Sequence, residues 1–117
     1  MRHKKTTKIL DRKIGPRKAL IKNLAGQLVI FEKIRTTKAK AKVLRPYVEK
    51  LITKSAENNL TTKRYLKTKI NLNNAIKKLL EVYGPQYKDR KGGYLKIIKA
   101  DTRKGDGAEM VYITFVK

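Results

Sequence analysis

The residues able to do chemistry in this chain are its cations, and their spacing is uneven. The segment from Lys33 to Arg45 holds six basic residues and no acid, and the segment from Lys63 to Lys78 holds six more, again without an acid. Ahead of both, residues 1 to 14 carry Arg2, Lys4, Lys5, Lys8, Arg12 and Lys13 against one carboxylate, Asp11. A solvated surface ordinarily mixes both signs, so one-signed runs on several segments predict a polyanion lying across them. In total, 31 Lys and Arg face 9 Asp and Glu, a net charge of +22. Nucleic acid fits that balance best. An anionic membrane would call for one long helix with bulky apolar residues opposite the charge, and here the apolar faces are needed for a core. If about eight phosphates are contacted, binding weakens by roughly 10³ to 10⁵ between 50 and 200 mM salt.

Other chemistry is poorly supplied. An acid–base site needs convergent titratable groups, whereas this chain has one His, no Cys and nine scattered carboxylates. The missing Cys excludes disulfides, thiolate metal sites and a Cys nucleophile. His3 lies in the basic N-terminal segment and reads as a surface group near phosphate rather than a metal ligand. Asp101 and Asp106 lack the spacing of a calcium loop, and Arg103 and Lys104 beside them repel a metal, so turn chemistry is expected there. Gly92-Gly93 precedes a strand-like run and does not open a helix, unlike a phosphate-binding glycine loop. No metal and no cofactor is expected.

These groups need elements to carry them. At 117 residues the chain is one domain plus an arm, given roughly 100 to 200 residues per domain. Leu, Ile, Val and Phe make up about a quarter of it, above the roughly 20% below which highly charged chains stay disordered. Residues 1–14 read as an extended basic arm and 15–117 as a single α+β domain. Leu20, Leu24, Leu28 and Phe31 recur at helical spacing, predicting a helix from Pro16 to about Glu32. Leu24 and Leu51 are expected in the core, with a cost of roughly 2 to 5 kcal/mol for replacement by Ala. Ile34 to Thr37 is a short β-branched run, with Thr37 as N-cap of a second helix carrying Leu44, Val48, Leu51 and Ile52. Pro46 inside that helix predicts a kink near Arg45 or a start at Pro46 itself. After Asn58-Asn59, Thr61 or Thr62 caps a short basic helix with Tyr65, Leu66 and Ile70 on its apolar face. A helix from Asn73, with Ile76, Leu79, Leu80 and Tyr83 inward, is expected to stop at Gly84-Pro85. The runs Tyr94 to Lys99 and Met110 to Val116, joined by a loop with Gly105-Asp106-Gly107, predict a hairpin. The architecture is about four helices packed on a small sheet made of this C-terminal hairpin plus the short strand at its edge.

Physics alone leaves the sugar open, because phosphate contacts supply affinity without naming it. No helix-turn-helix, zinc finger or RNA-recognition sheet motif is legible, and the six Tyr read as core or rim. A nucleoid-like DNA binder is the main alternative, and an RNA-processing enzyme using Asp89 or Glu81 the second.

A run of ordered words then favours RNA. They are Met1-Arg2-His3, Arg17-Lys18-Ala19 through Asn23-Leu24-Ala25, Thr36-Thr37 with Lys40-Ala41-Lys42, Leu44-Arg45 and Glu49-Lys50-Leu51-Ile52-Thr53. Gly84-Pro85, Gly92-Gly93-Tyr94, and Arg103 through Ala108 leading to Met110 and Tyr112-Ile113 complete the set. Together they resemble the seventeenth large-subunit ribosomal protein family of bacteria and organelles. Gly15-Pro16, Ile30-Phe31, Pro46 and Glu109 depart from its usual pattern, and Ile30 and Phe31 are expected to pack against the core or another protein.

The resemblance implies a cytoplasmic structural constituent of the large ribosomal subunit, with no catalysis of its own and no small-molecule substrate. It would bind and stabilise large-subunit ribosomal RNA near the exit-tunnel side, among other ribosomal proteins. The RNA-binding residues expected are Arg2, His3, Lys4, Lys5, Lys8, Arg12 and Lys13 in the arm, ordering on RNA, and Arg17, Lys18 and Lys22 along the first helix. Arg35, Lys38, Arg45, Lys63 and Arg64 follow on the body, and Arg90, Lys91, Arg103 and Lys104 in the loops of the hairpin side.

Overall fold

The computed structural model describes Leu10 and residues 12–116. Arg2, His3, Lys4, Lys5 and Lys8, with most of the expected arm, lie outside the described residues. Helix α1 (Ile14–Phe31) leads into strand β1 (Lys33–Thr37), helix α2 (Lys38–Ser55) and helix α3 (Leu60–Lys69). Helix α4 (Asn73–Lys78) continues through a π-helical stretch, Leu79–Tyr83, into a last turn, Gly84–Gln86. Strands β2 (Leu95–Lys99) and β3 (Met110–Phe115) close the chain. This is the α+β architecture expected from the sequence: four helical segments beside one antiparallel sheet of order β1-β3-β2, with the hairpin and the short strand at its edge.

Ile113 on the central strand pairs with Ile34 and Ile97, and Phe115 with Leu95, so these residues share the face that looks onto the helices. There they meet Leu44, Val48, Leu51 and Ile52 of α2, Leu66 and Ile70 at the end of α3, and Leu79, Leu80 and Tyr83 of the fourth helix. Tyr83 stacks on Phe115 with ring centroids 4.0 Å apart. The Tyr87 hydroxyl donates to the Val116 carbonyl, which fastens the end of β3 to the segment after the fourth helix.

Local chemistry sets the boundaries, in several places differently from the periodicity. Helix α1 starts at Ile14, two residues before Pro16, and its buried stripe is Ile21, Ala25, Gly26, Leu28 and Val29. Leu24 is only partly buried and Phe31 is 69% exposed. The stripe is rotated because Ala25 and Gly26 admit neighbours closely, and an apolar count overlooks such small residues. Thr37 does cap α2, accepting from the Lys40 backbone N–H at 3.4 Å. That helix runs unbroken through Pro46, and the idea of a start at Pro46 is corrected: its exposed ring costs one backbone bond while Leu44, Val48 and Leu51 bury the opposite side. The cap of α3 is Asn59, whose Oδ1 accepts from the Thr62 N–H at 2.8 Å, and not Thr61 or Thr62.

The expected stop at Gly84-Pro85 is also corrected. Gly84 is helical, and its N–H bonds to the Leu79 carbonyl five residues back. Pro85 sits in the following turn. A Cβ on Gly84 would lie 2.3 Å from the Ser55 carbonyl oxygen, so this glycine lets the fourth helix cross α2 at backbone contact.

Candidate nucleic-acid interface

Helices α1, α2 and α3 enclose an open groove of about 610 Å³ whose cations are Arg17, Lys18, Lys22, Lys42 and Lys69, with no carboxylate among its lining residues. Its floor is Ile21, Val43, Pro46 and Tyr47. The spacing follows from helix geometry: Lys18 and Lys22, four residues apart, stack on one face of α1, as Lys42 and Pro46 do on α2. Pro46 has no N–H to give the Lys42 carbonyl, so that oxygen lacks the bond it would have in a regular helix. The Tyr47 hydroxyl donates to the Lys69 carbonyl at 2.6 Å and ties the end of α3 to α2. Burial, then the neighbouring Tyr65, pushes this phenol's pKa up and keeps it a donor. The groove is therefore an apolar-floored concavity with cations on its rim. That form suits a phosphate backbone better than a small polar substrate.

The remaining expected residues divide between free and committed cations. Lys63 and Arg64 are exposed on α3, beside a second hollow with Leu60, Ile76 and Leu80 on its wall. Arg35 projects from β1 and donates to the Asp101 carbonyl at 3.4 Å. Lys91 and Lys104 are exposed in loops, and Arg12 and Lys13 precede α1. Arg90 donates to the Gly92 carbonyl at 3.2 Å while its own carbonyl accepts from the Tyr94 hydroxyl at 2.9 Å, so it shapes the loop into β2.

Three expected cations carry a carboxylate partner. Arg45 pairs with Glu49 at 3.1 Å, and the other Glu49 oxygen accepts from the Tyr94 N–H, fixing the entrance of β2 to α2. Lys38 lies 3.5 Å from Glu109 across the sheet end. Arg103 grips Asp106 with two bonds, at 3.1 and 2.5 Å. Hydrogen bonding from Arg103, reinforced by the Ala108 N–H, holds the Asp106 carboxyl down at about 2. Hydrogen bonding to Asp106 in turn pushes the Arg103 guanidinium up. These pairs order turns and helix–sheet junctions, and Lys42 and Lys69, the latter with its ammonium 5.7 Å from the centre of the Tyr65 ring, are the groove cations missing from the sequence-based site. Lys42 had a signal, four residues after Lys38 in the acid-free run. Lys69 had the same signal, in the acid-free run from Lys63 to Lys78, but its place beside α1 and α2 depends on the packing of α3.

Among the described residues no group of three His, Asp or Glu is placed to hold a metal ion, and no helix is long and apolar enough to cross a membrane. Burial, with the Glu32 carboxylate next in effect, raises the Tyr83 phenol. Lys78 pairs with Glu32 at 3.1 Å and donates to the Ile30 carbonyl at 3.0 Å, closing the end of α1.

Comparison with known proteins identifies the family. The model of the family described as ribosomal protein L17 matches residues 20–116. A large ribosomal subunit protein bL17 of Rickettsia bellii is 49% identical over 116 residues, covering 99% of this chain and 82% of its own length. The bL17 of Nautilia profundicola is 48% identical over 120 residues, covering 99% of this chain and 98% of its own. That of Roseobacter denitrificans is 45% identical over 99% of this chain and 83% of its own length. A match over nearly the whole folded body, with relatives at almost half identity, places the chain in the bacterial ribosomal protein L17 family.

Proposed function

We propose that the protein binds large-subunit ribosomal RNA by laying the groove between α1, α2 and α3 along a phosphate backbone, so that it acts as a structural clamp. As a member of its family it is a structural component of the large ribosomal subunit, working in the cytoplasm within the ribosome, and not an enzyme. The observation that carries the RNA-binding reading is the groove of five cations without an acid. Arg2, His3, Lys4, Lys5, Lys8, Arg12 and Lys13 of the N-terminal segment add further cations for RNA phosphates. Lys63, Arg64, Lys91 and Lys104 contact further phosphates from other sides, while Arg45, Lys38 and Arg103 act mainly by holding the body in shape. The exit-tunnel side of the subunit, with neighbouring ribosomal proteins, is the location this reading adopts.

The groove sets a magnitude. Its five phosphate contacts, at a log–log salt slope of about 0.7 to 0.9 each, contribute about −4 to the slope, a factor of about 250 in affinity from 50 to 200 mM salt, to which the other contacts add. Lys22→Gln with Lys42→Gln should flatten the slope for ribosomal RNA by about 1.5. An unchanged slope overturns the groove assignment. In competition at matched salt, folded ribosomal RNA should displace the protein from duplex DNA, and the reverse order would favour an architectural DNA binder.

A further inference from the structure

The sheet has two faces, and the helices cover only one of them. Facing residues of antiparallel strands project to the same side, so the register groups Arg35, Tyr112 and Ile98 in one row and Lys33, Thr114 and Lys96 in the next, on the side away from Ile113. Lys33, Arg35, Lys96 and Ile98 are exposed, and Tyr112 is half-buried. These six strand residues include three cations, one aromatic ring and no acid. The Lys33 ammonium sits 4.5 Å from the centre of the Tyr112 ring. Arg35 is steadied by the Asp101 carbonyl, and beside it a shallow hollow opens between Arg35, Lys99, Asp101 and Tyr112. Asp101 is the hollow's one acid.

We infer that this face is a second RNA site, where an unpaired base stacks on Tyr112 and Lys33, Arg35 and Lys96 hold the phosphates on either side of it. The inference rests on the RNA-binding reading above and adds a class of contact that the groove does not make. An aromatic residue on a rigid sheet, ringed by cations, is the arrangement that accepts single-stranded nucleic acid, because every base offers a π-face and every linkage a charge. A protein neighbour would have to bring acidic groups to all three cations, whereas a polynucleotide supplies them at each step. Lys33 does not block the ring. An exposed cation–π contact is worth a factor of about 2 to 5, and a stacked base roughly 5- to 150-fold, so the base takes the ring and the freed ammonium takes a phosphate.

The test uses the full chain and a ten-residue single strand of adenylate RNA, with structured large-subunit ribosomal RNA titrated alongside. The wild-type protein should bind the single strand with a salt slope near −2, as three cations predict at about 0.7 each. Tyr112→Thr keeps a β-branched residue in the strand and removes the ring. It should weaken the single strand by roughly 5- to 150-fold while leaving the slope unchanged, because stacking releases no counterions. Tyr112→Phe should stay within about threefold of the wild type. The Tyr112 ring protons should move upfield when the strand is added, which a purely structural role of the ring would not produce. Equal affinity of Tyr112→Thr and the wild type for the single strand, with structured RNA still bound, overturns this second site alone. Loss of structured-RNA binding by the wild-type protein overturns the reading beneath it.

Discussion

Replacing Gly84 by Ala separates two explanations of the Gly84-Pro85 pair with opposite signs. Were this glycine merely a helix stop, added side-chain volume would be harmless and the better helix former would gain up to about 1 kcal/mol. In the structure the new Cβ would lie 2.3 Å from the Ser55 carbonyl oxygen, against ordinary contacts near ~3.5 Å, so α2 and the fourth helix would have to part by about 1 Å. The crossing cannot open quietly. Ser55 is buried and its hydroxyl donates to the Leu51 carbonyl at 2.6 Å, while Leu51, Leu79 and Tyr83 pack into the same core. Overpacking of this kind costs about 1 to 3 kcal/mol, and a contact with backbone rather than a pliable side chain belongs at the upper end. A loss of about 3 kcal/mol corresponds to a fall of roughly 12 °C in Tm for a domain of this size. Thermal and urea unfolding followed by circular dichroism, at a salt concentration that damps the self-repulsion, reads it directly. Gly15→Ala is the control: nothing lies within 4 Å of its Cβ position, and the change should be neutral or stabilising by about 0.5 kcal/mol. A Gly84→Ala protein that unfolds at or above the wild-type temperature would refute the close-crossing account.

Leu51→Ala should cost about 2 to 5 kcal/mol, and Leu24→Ala clearly less because Leu24 is only partly buried; equal losses in urea unfolding would place Leu24 in the core after all. Pro46→Ala restores the N–H facing the Lys42 carbonyl and should raise stability by about 1 to 3 kcal/mol, so a lower Tm would mean the ring makes an essential contact. Asp106 has a folded pKa depressed from 3.8 to about 2. Its stabilisation of the β2–β3 turn is therefore complete above about 3.8 and lost as pH falls towards 2. Carboxyl titration by nuclear magnetic resonance should show that midpoint near 2 in the wild type and clearly higher in Arg103→Gln, where the Ala108 N–H still holds it somewhat down, and identical midpoints would remove Arg103 as the cause.

The parts of the fold readable from sequence were those with strong local signals. Leu44, Val48, Leu51 and Ile52 sit at helical spacing and are all buried. The alternating β-branched runs of the hairpin, and Thr37 as a cap, work within a few residues of chain and left a legible trace. Misreadings arose where a small residue meets a distant segment. Ala25 and Gly26 turn the buried face of α1, and Gly84 presses on Ser55, contacts that no local pattern encodes. The site divides in the same way. Lys18 and Lys22 are legible as helix neighbours, but the groove needs Lys42 and Lys69 from two other helices. Charge counts could not separate Arg103, bound to Asp106, from the free Lys104 beside it. Tyr112 reads as one more strand aromatic until the register sets Arg35 opposite it.

The most direct test of the central claim is ultraviolet cross-linking in cells, with large subunits purified and the RNA-linked peptides of this protein identified by mass spectrometry. The account predicts cross-links to large-subunit ribosomal RNA from the α1 peptide around Arg17, Lys18 and Lys22, with Lys42 and Lys69 in the same RNA neighbourhood. Cross-links confined to other faces, or to DNA outside ribosomal fractions, would contradict it.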